Sequence, residues 1–550
     1  MKPLGVILTE ASTQVAKCQL FEHAEKGKIR EGMFLQVHTT GERKILARVA
    51  SIIPQNEFFV AGDAWTEARR KQQEIPTNLA RKYEICELEL LREVPGLSEV
   101  SIPPYPGDKV YEIDISKDVK TIFGIKKDDG ILWYGSLLGY EEAPIPLTIE
   151  AIPMHFAVFG VTGSGKSYDV GALIEELVKI PAGNNIILSM PMIIIDSNAD
   201  YVDYHTFFKE KGSFGACPSV TRYVFPNSPI MRTYQSSVRP IAINLNNLSI
   251  RELAELIVTY YSGGEKNELQ ITGVELLIEN MIFRGDIADG SFQTIFTNNE
   301  TFDRAKSRLA ALSARNTPIH SATAAAIQRG LEKFREIENQ HRLLSTKPFL
   351  EKEFIDDLTT NRGIAIIDFS ADGAPGIPLS IKQLVISYLS SILYLRFTHY
   401  KTEREERYLI FLMEEAQNYC PNLSRYDVGY SLAREKLATI ATQGRKFGLS
   451  LCLVSQRPSF IDPVVLSMCN TFFIHRVAPD DISYIVRACG GLPASMERRL
   501  TRLELGEVIV TGQMNMAPFP IAIKIPRRKM VPEHVAGKTD VLGGLKRLSK

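Results

Sequence analysis

Two hydrophobic rhythms divide this chain. Up to about residue 100 the apolar positions fall in short runs, Gly5–Thr9, Val15–Phe21, Met33–His38, Ile45–Ile52 and Tyr83–Leu91, bounded by Gly, Pro, Asn or charged residues. Closely spaced strands without long helices between them predict a small β-barrel or sandwich. The run Ser101-Ile102-Pro103-Pro104-Tyr105-Pro106 favours extended chain and marks a boundary. An N-terminal β-barrel is therefore expected over 1–100, and a Pro-rich linker with connector strands over 101–149.

From about residue 150 strands alternate with helices. His155–Phe159, Met192–Ile195, Gly363–Phe369, Tyr408–Met413, Leu449–Ser455 and Thr471–Arg476 read as strands. Lys166–Lys179, Ile381–Thr398, Ser431–Lys446 and Asp480–Cys489 read as helices. A pure apolar run such as Met192–Ile195 is typical of a parallel strand covered on both faces. The pattern is that of an α/β core with a mostly parallel sheet.

Between 249 and 345 the β-type runs give way to helical stretches at Ile250–Tyr261, Leu269–Phe283, Thr301–Ala314 and Ala322–Asn339. This is expected to be a helical insertion, serving either as a partner surface or as a packing bundle. It splits the core into 150–248 and 346–525, and leaves 526–550 as a C-terminal arm. The arm carries Arg527-Arg528-Lys529 and Lys546-Arg547-Leu548-Ser549-Lys550, which suit a subunit-linking arm or a solvated terminus.

Composition narrows the class. A chain of 550 residues, 45% apolar and 23% charged, can bury several cores. Lys+Arg and Asp+Glu stand at 64 each, so net charge argues for no partner, although a local basic stripe remains compatible with it. None of the seven cysteines forms a CxxC pair, so neither a zinc knuckle nor a disulfide framework is suggested. The apolar run Leu4–Leu8 stops at Glu10, too short for a secretory signal, and no stretch reaches the ~20 apolar residues of a membrane span. A cytoplasmic protein with no membrane association is expected.

The chemistry begins at Gly160-Val161-Thr162-Gly163-Ser164-Gly165-Lys166-Ser167, which fits G-x-x-x-x-G-K-[ST] at every required position. An apolar strand enters it and an amphipathic helix leaves it. Glycines let backbone N–H groups converge on phosphate oxygens, and the helix N-terminus adds partial positive charge. Lys166 is expected to reach the β and γ phosphates of ATP, and Ser167 to ligate Mg2+. Thr162, Gly163, Ser164 and Gly165 complete the cradle with Gly160.

A hydrolase also needs a carboxylate beside the γ-phosphate. Glu414-Glu415 stand at the C-terminal tip of the apolar strand Tyr408–Met413, the edge where ligands bind in open α/β sheets. Glu414 is assigned to the Mg2+ shell and Glu415 to polarising the attacking water; the alternative is a pair of acids favoured by a helix N-terminus. Asp196 ends the second strand and is either a further acid near the metal or a turn acid. Gln456, after the strand Leu449–Val454, is either a γ-phosphate sensor or a turn residue. Arg445, in Gly444-Arg445-Lys446-Phe447-Gly448, complements a helix C-terminus or reaches a neighbouring subunit's phosphate as a finger.

Together these motifs resemble the HerA helicase/translocase family, in the HerA–FtsK group of RecA-like hexameric ATPases. The likeness rests on the barrel-like N-terminus, Gly135-Ser136-Leu137-Leu138-Gly139, and Gly160–Ser167. It rests further on Glu414-Glu415-Ala416-Gln417-Asn418-Tyr419-Cys420-Pro421 and Gly444–Gly448. Ser455-Gln456-Arg457-Pro458 and Cys469-Asn470-Thr471 complete it. The resemblance implies a homohexamer with ATP at subunit interfaces and duplex DNA in the central pore. It implies a NurA-like partner nuclease in DNA-end processing, or a sirtuin-like or nuclease effector in antiphage defence. It assigns Arg445 as the trans finger and Gln456 as the sensor. The rival expectation is an ATP-gated scaffold that assembles an effector without moving DNA. The sequence departs from the family at Asp196-Ser197-Asn198-Ala199-Asp200-Tyr201, which lacks a His and a Gly. It departs again at Gln417, where His is usual, and at Met154, where some members carry Arg.

Overall fold

The computed structural model describes residues 2–530, apart from 26, 77–78, 114, 141, 235–236, 264–265, 315–317 and 427–430. Six strands close a barrel in the order Gly5–Ile7, Val15–Leu20, Lys82–Val94, Lys44–Asn56, Phe34–His38 and Lys109–Glu112, the last pairing back on the first. Alternation puts Ile7, Cys18, Val37, Ile45, Leu88 and Val110 inside. The barrel therefore extends past the boundary expected at 100. Its sixth strand follows the Pro-rich run and has four residues, too few for alternation to show in the sequence. Without that strand the barrel would have an open, unpaired edge.

The core is built on one sheet. Its strands lie in the order Arg239–Pro240, Val220–Val224, Ile364–Asp368, Met192–Asp196, Leu409–Glu414, Leu449–Ser455, Phe156–Phe159, Thr471–Ile474, Glu507–Gly512, Ile521–Lys524 and Ser136–Leu137. The strands from Arg239–Pro240 through Thr471–Ile474 are parallel, and the last three are antiparallel. The central strands are buried along their whole length, as their unbroken Ile, Leu, Val and Phe content requires. This is the mostly parallel α/β sheet read from the sequence, with an antiparallel margin added. The connector segment does not stand apart: Ser136–Leu137 forms the margin's outer strand, and Ile131–Tyr134 pairs with Ile145–Thr148 beside it.

The insertion consists of helices Ile250–Ser262, Glu268–Phe283, Asn299–Leu312 and Ser321–His341 with shorter turns between. Ser249 and Glu252 form a reciprocal capping box, and Asn298 caps the third of these helices. Leu253, Ile257, Ile278, Phe296 and Phe334 share one continuous apolar core with the sheet and with the helix Leu379–Thr402. The insertion is thus packed into the core.

The barrel sits against the antiparallel margin. Arg48, buried, donates from Nη1 to Pro520 O at 2.7 Å and pairs with Glu89 at 2.6 Å. Ser495 Oγ donates to the other oxygen of Glu89 at 2.6 Å. Past the last strand, the chain folds back on the helix Lys166–Leu177, and Arg528 is buried there instead of reaching into solvent. The basic run 546–550 lies outside the described residues. Among the described residues no helix is long and apolar enough to cross a membrane.

Candidate active site

The phosphate loop hangs between the strand Phe156–Phe159 and the helix Lys166–Leu177. Gly163 and Gly165 have φ of 76° and 98°, in the left-handed region that a side chain disfavours. A Cβ on Gly160 would stand 2.4 Å from Ser164 Oγ and 2.7 Å from His475 Cβ. Gly160 N–H donates to Ser455 O at 3.3 Å and Val161 N–H to Arg476 O at 2.9 Å, which suspends the loop from both neighbouring strands. The helix starts at Lys166, so its first-turn N–H groups, without intrahelical acceptors, lie at the loop. The side chain of Lys166 is buried and electrostatically favours the charged form of Glu414.

Beneath the loop lies a buried cluster that the sequence did not announce. His475 Nε2 bonds Asp169 Oδ2 at 2.8 Å, and Tyr134 donates its hydroxyl proton to Asp169 Oδ1. His475 follows the apolar strand Thr471–Ile474 with no motif around it, and Asp169 resembles an ordinary first-turn acid.

The two glutamates occupy different environments. Glu414 is fully buried at the strand tip, and Ser197 N–H donates to its Oε2 at 3.0 Å. Burial first, then Asp200 and Asp196, push its carboxyl well above the usual range. Its Oε1 has no hydrogen-bond partner in the described structure. Glu415 is half-buried with φ 53° and ψ 45°, a left-handed bend at the strand end that turns its side chain away from the strand's alternation. Gln456 Nε2 donates to Glu415 Oε1 at 2.7 Å. Thr162 Oγ1 donates to Gln456 Oε1 at 2.5 Å. Gln417 Nε2 donates to Glu415 Oε2 at 2.5 Å.

The structure therefore brings together Thr162, Lys166, Glu414, Glu415 and Gln456. Asp196 lies close by, at the end of the neighbouring strand. Its Oδ1 accepts from Asp200 N–H at 2.9 Å and Asn198 N–H at 3.3 Å, and its Oδ2 from Tyr201 N–H at 2.8 Å. These bonds organise the turn after its strand. Burial, then the neighbouring Asp368, raise its pKa to about 7 against the pull of the Tyr201 amide. Arg445 stands apart. It is exposed before Gly448, at the start of the strand Leu449–Ser455, while Gln456 follows the end of that strand. A strand of that length holds the two about 20 Å apart. Gln417 and Ser455 stand in the sequence only as parts of motifs; their contact needs two neighbouring strands to be in place.

A phosphate loop on a parallel sheet, linked by hydrogen bonds to a strand-tip glutamate, defines a P-loop ATPase. The family model described as "Helicase HerA, central domain" matches residues 132–393, which includes the loop and stops before Glu414. The chain is 24% identical over 538 residues to the DNA double-strand break repair helicase HerA of Sulfurisphaera tokodaii, covering 95% of this chain and 93% of that one. It is 24% identical over 551 residues to a probable helicase of Methanocaldococcus jannaschii, covering 94% of each. Among solved structures, the plasmid coupling protein TrwB with a non-hydrolysable GTP analogue aligns over 75% of this chain and 92% of that one. Its identity is 14% and its TM-score 0.49. Within the P-loop ATPases, the chain is similar to the HerA helicases along most of its length.

Proposed function

We propose that this chain is the subunit of a ring-forming, ATP-driven duplex-DNA translocase or helicase. The observation that carries the reading is the unbroken hydrogen-bonded chain from Thr162 through Gln456 to Glu415, which ties the phosphate loop to the acid. Lys166 holds the β and γ phosphates. Glu415 orients the water that attacks the γ-phosphorus, with ADP as leaving group. Gln456 touches both sides of the cleft and is placed to sense the γ-phosphate.

Ser167 and Glu414 would hold Mg2+. The buried, unpartnered Oε1 of Glu414 fits a cation, as does the hydroxyl at the start of the helix. When bound, the ion neutralises charge on the phosphates.

The repair-helicase relatives support DNA as the substrate. The distance between Arg445 and its own loop supports its use at a neighbour's nucleotide, hence a homohexamer closed around duplex DNA with ATP at the subunit boundaries. A NurA-like nuclease, or a sirtuin-like or nuclease defence effector, completes the proposed assembly. Phosphate contacts in the pore would grip without reading sequence, so binding should weaken steeply with salt.

Displacement of a third strand from a triplex tests the reading. The wild type should displace it with ATP, whereas Lys166→Ala and Glu415→Gln should not. ATP turnover stimulated by DNA without displacement would instead support an ATP-gated scaffold.

A further inference from the structure

We infer that Gln417, held by Ser455, is a positioning residue for Glu415. This rests on the hydrolytic role given to Glu415 above.

The argument follows the protons. Ser455 ends the strand beside that of Glu414 and is fully buried. Its hydroxyl oxygen accepts from Arg457 N–H at 3.0 Å. Its single proton goes to Gln417 Oε1 at 2.8 Å. With its oxygen so engaged, the Gln417 amide presents only its NH2 to Glu415, and the donor lies 2.5 Å from Oε2. An inverted amide would set oxygen against carboxylate and leave the serine proton without an acceptor. The network therefore fixes which end of Gln417 faces the acid.

The consequence concerns orientation. Glu415 is bound at both oxygens, by Gln456 through Oε1 and by Gln417 through Oε2. Gln456 also bonds Thr162 in the loop, so it must respond when phosphates fill the cleft. Among the described residues Gln417 has no hydrogen bond to the loop; its anchor is the buried Ser455, whose carbonyl also accepts Gly160 N–H at 3.3 Å. Gln417 is thus the fixed half of the clamp and Gln456 the half that nucleotide can exchange. The left-handed backbone at Glu415 gives the carboxylate its direction, and Gln417 keeps it there while Gln456 moves.

The test uses the full-length protein. Gln417→Leu removes the donor at similar size, Gln417→His restores a donor, and Ser455→Ala frees the Gln417 amide to turn. Steady-state ATP hydrolysis is measured with equilibrium binding of a fluorescent ATP analogue. Gln417→Leu should lower kcat by about 10- to 100-fold, the cost of a misplaced catalytic group, with affinity and KM within about twofold of wild type. Ser455→Ala should move the same parameter in the same direction, and Gln417→His should recover most of kcat. Unchanged kcat in Gln417→Leu, or equal losses of affinity and kcat in all three variants, overturns the inference. Glu415→Gln in parallel separates the two levels. Full turnover by Glu415→Gln removes the hydrolytic reading itself. A dead Glu415→Gln beside an active Gln417→Leu removes only the clamp.

Discussion

His475 bonds Asp169 at 2.8 Å; both side chains are buried, and His475 lies directly behind the first glycine of the phosphate loop. The loop is thus supported from below by a polar pair that itself never meets solvent.

Replacing His475 by Ala leaves Asp169 with Tyr134 as its side-chain partner and removes the ring behind the loop while keeping the Cβ beside Gly160. Losing a buried hydrogen bond to a charged group costs about 1.5–3 kcal/mol. A lower urea midpoint together with weaker ATP binding is the expected outcome. Loss of stability with unaltered nucleotide affinity would show that the pair does not shape the loop.

Arg528 is a second buried support. Its guanidinium lies 4.8 Å from the Tyr204 ring centroid and 3.5 Å from Glu175 Oε1, while Glu175 Oε2 accepts the N–H groups of Lys529 and Met530. A Cβ on Gly171 would stand 2.9 Å from Arg528 Cζ, so the glycine makes room for it. Arg528→Ala should cost about 3–5 kcal/mol, because it leaves a buried carboxylate without its counter-charge. Thermal unfolding checks the loss. Gly171→Ala should act in the same direction by displacing the guanidinium.

His155 supplies a pH signature. Leu451 N–H donates to its Nδ1 at 2.9 Å, so the proton resides on Nε2, which donates to Ala441 O at 2.9 Å. Burial, followed by the nearby Arg445, lowers its pKa from 6.5 to about 4. Above pH 6.5 the ring is neutral in both states and its contribution is complete. As pH falls from 6.5 towards 4, the unfolded chain takes up a proton that the folded chain refuses. Stability is then lost at up to about 1.4 kcal/mol per pH unit, roughly 3 kcal/mol in all. Urea unfolding of wild type and His155→Gln across this window should diverge, with the wild type falling faster. Asp196, whose raised pKa acts in the opposite direction, is present in both proteins and cancels. Parallel curves would refute the assignment.

Arg445 offers a test of the proposed ring. Subunits carrying Arg445→Ala, mixed with subunits carrying Glu415→Gln, should recover part of the ATP turnover that either lacks alone. Recovery arises where an intact Arg445 faces an intact Glu415 across a boundary. A trans finger contributes about 10³- to 10⁵-fold in rate, so even a minority of repaired boundaries should be measurable. Lack of rescue at every mixing ratio counts against the finger.

The sequence disclosed what local pattern can disclose. The runs Met192–Ile195 and Leu449–Ser455 could only be buried strands, and the loop with Glu414-Glu415 marked one edge of the sheet. The strand Val220–Val224 escaped notice because Thr221 and Arg222 break its apolar run. Arg222 is there to pair with the buried Asp368 at 2.5 Å. Ile521–Lys524 and Ser136–Leu137 are short strands whose pairing joins segments far apart in the chain, and no window contains both. The Gln417 clamp was illegible for the same reason: Ser455 comes from a different strand, and only their adjacency fixes the amide.

That far pairing has a mechanical meaning. Where Ser136–Leu137 meets Ile521–Lys524, the entry to the core and its exit are stitched along one hem. A tug arriving through the barrel and a tug arriving through the tail land on the same seam, and neither has to travel through the helical insertion to reach the other.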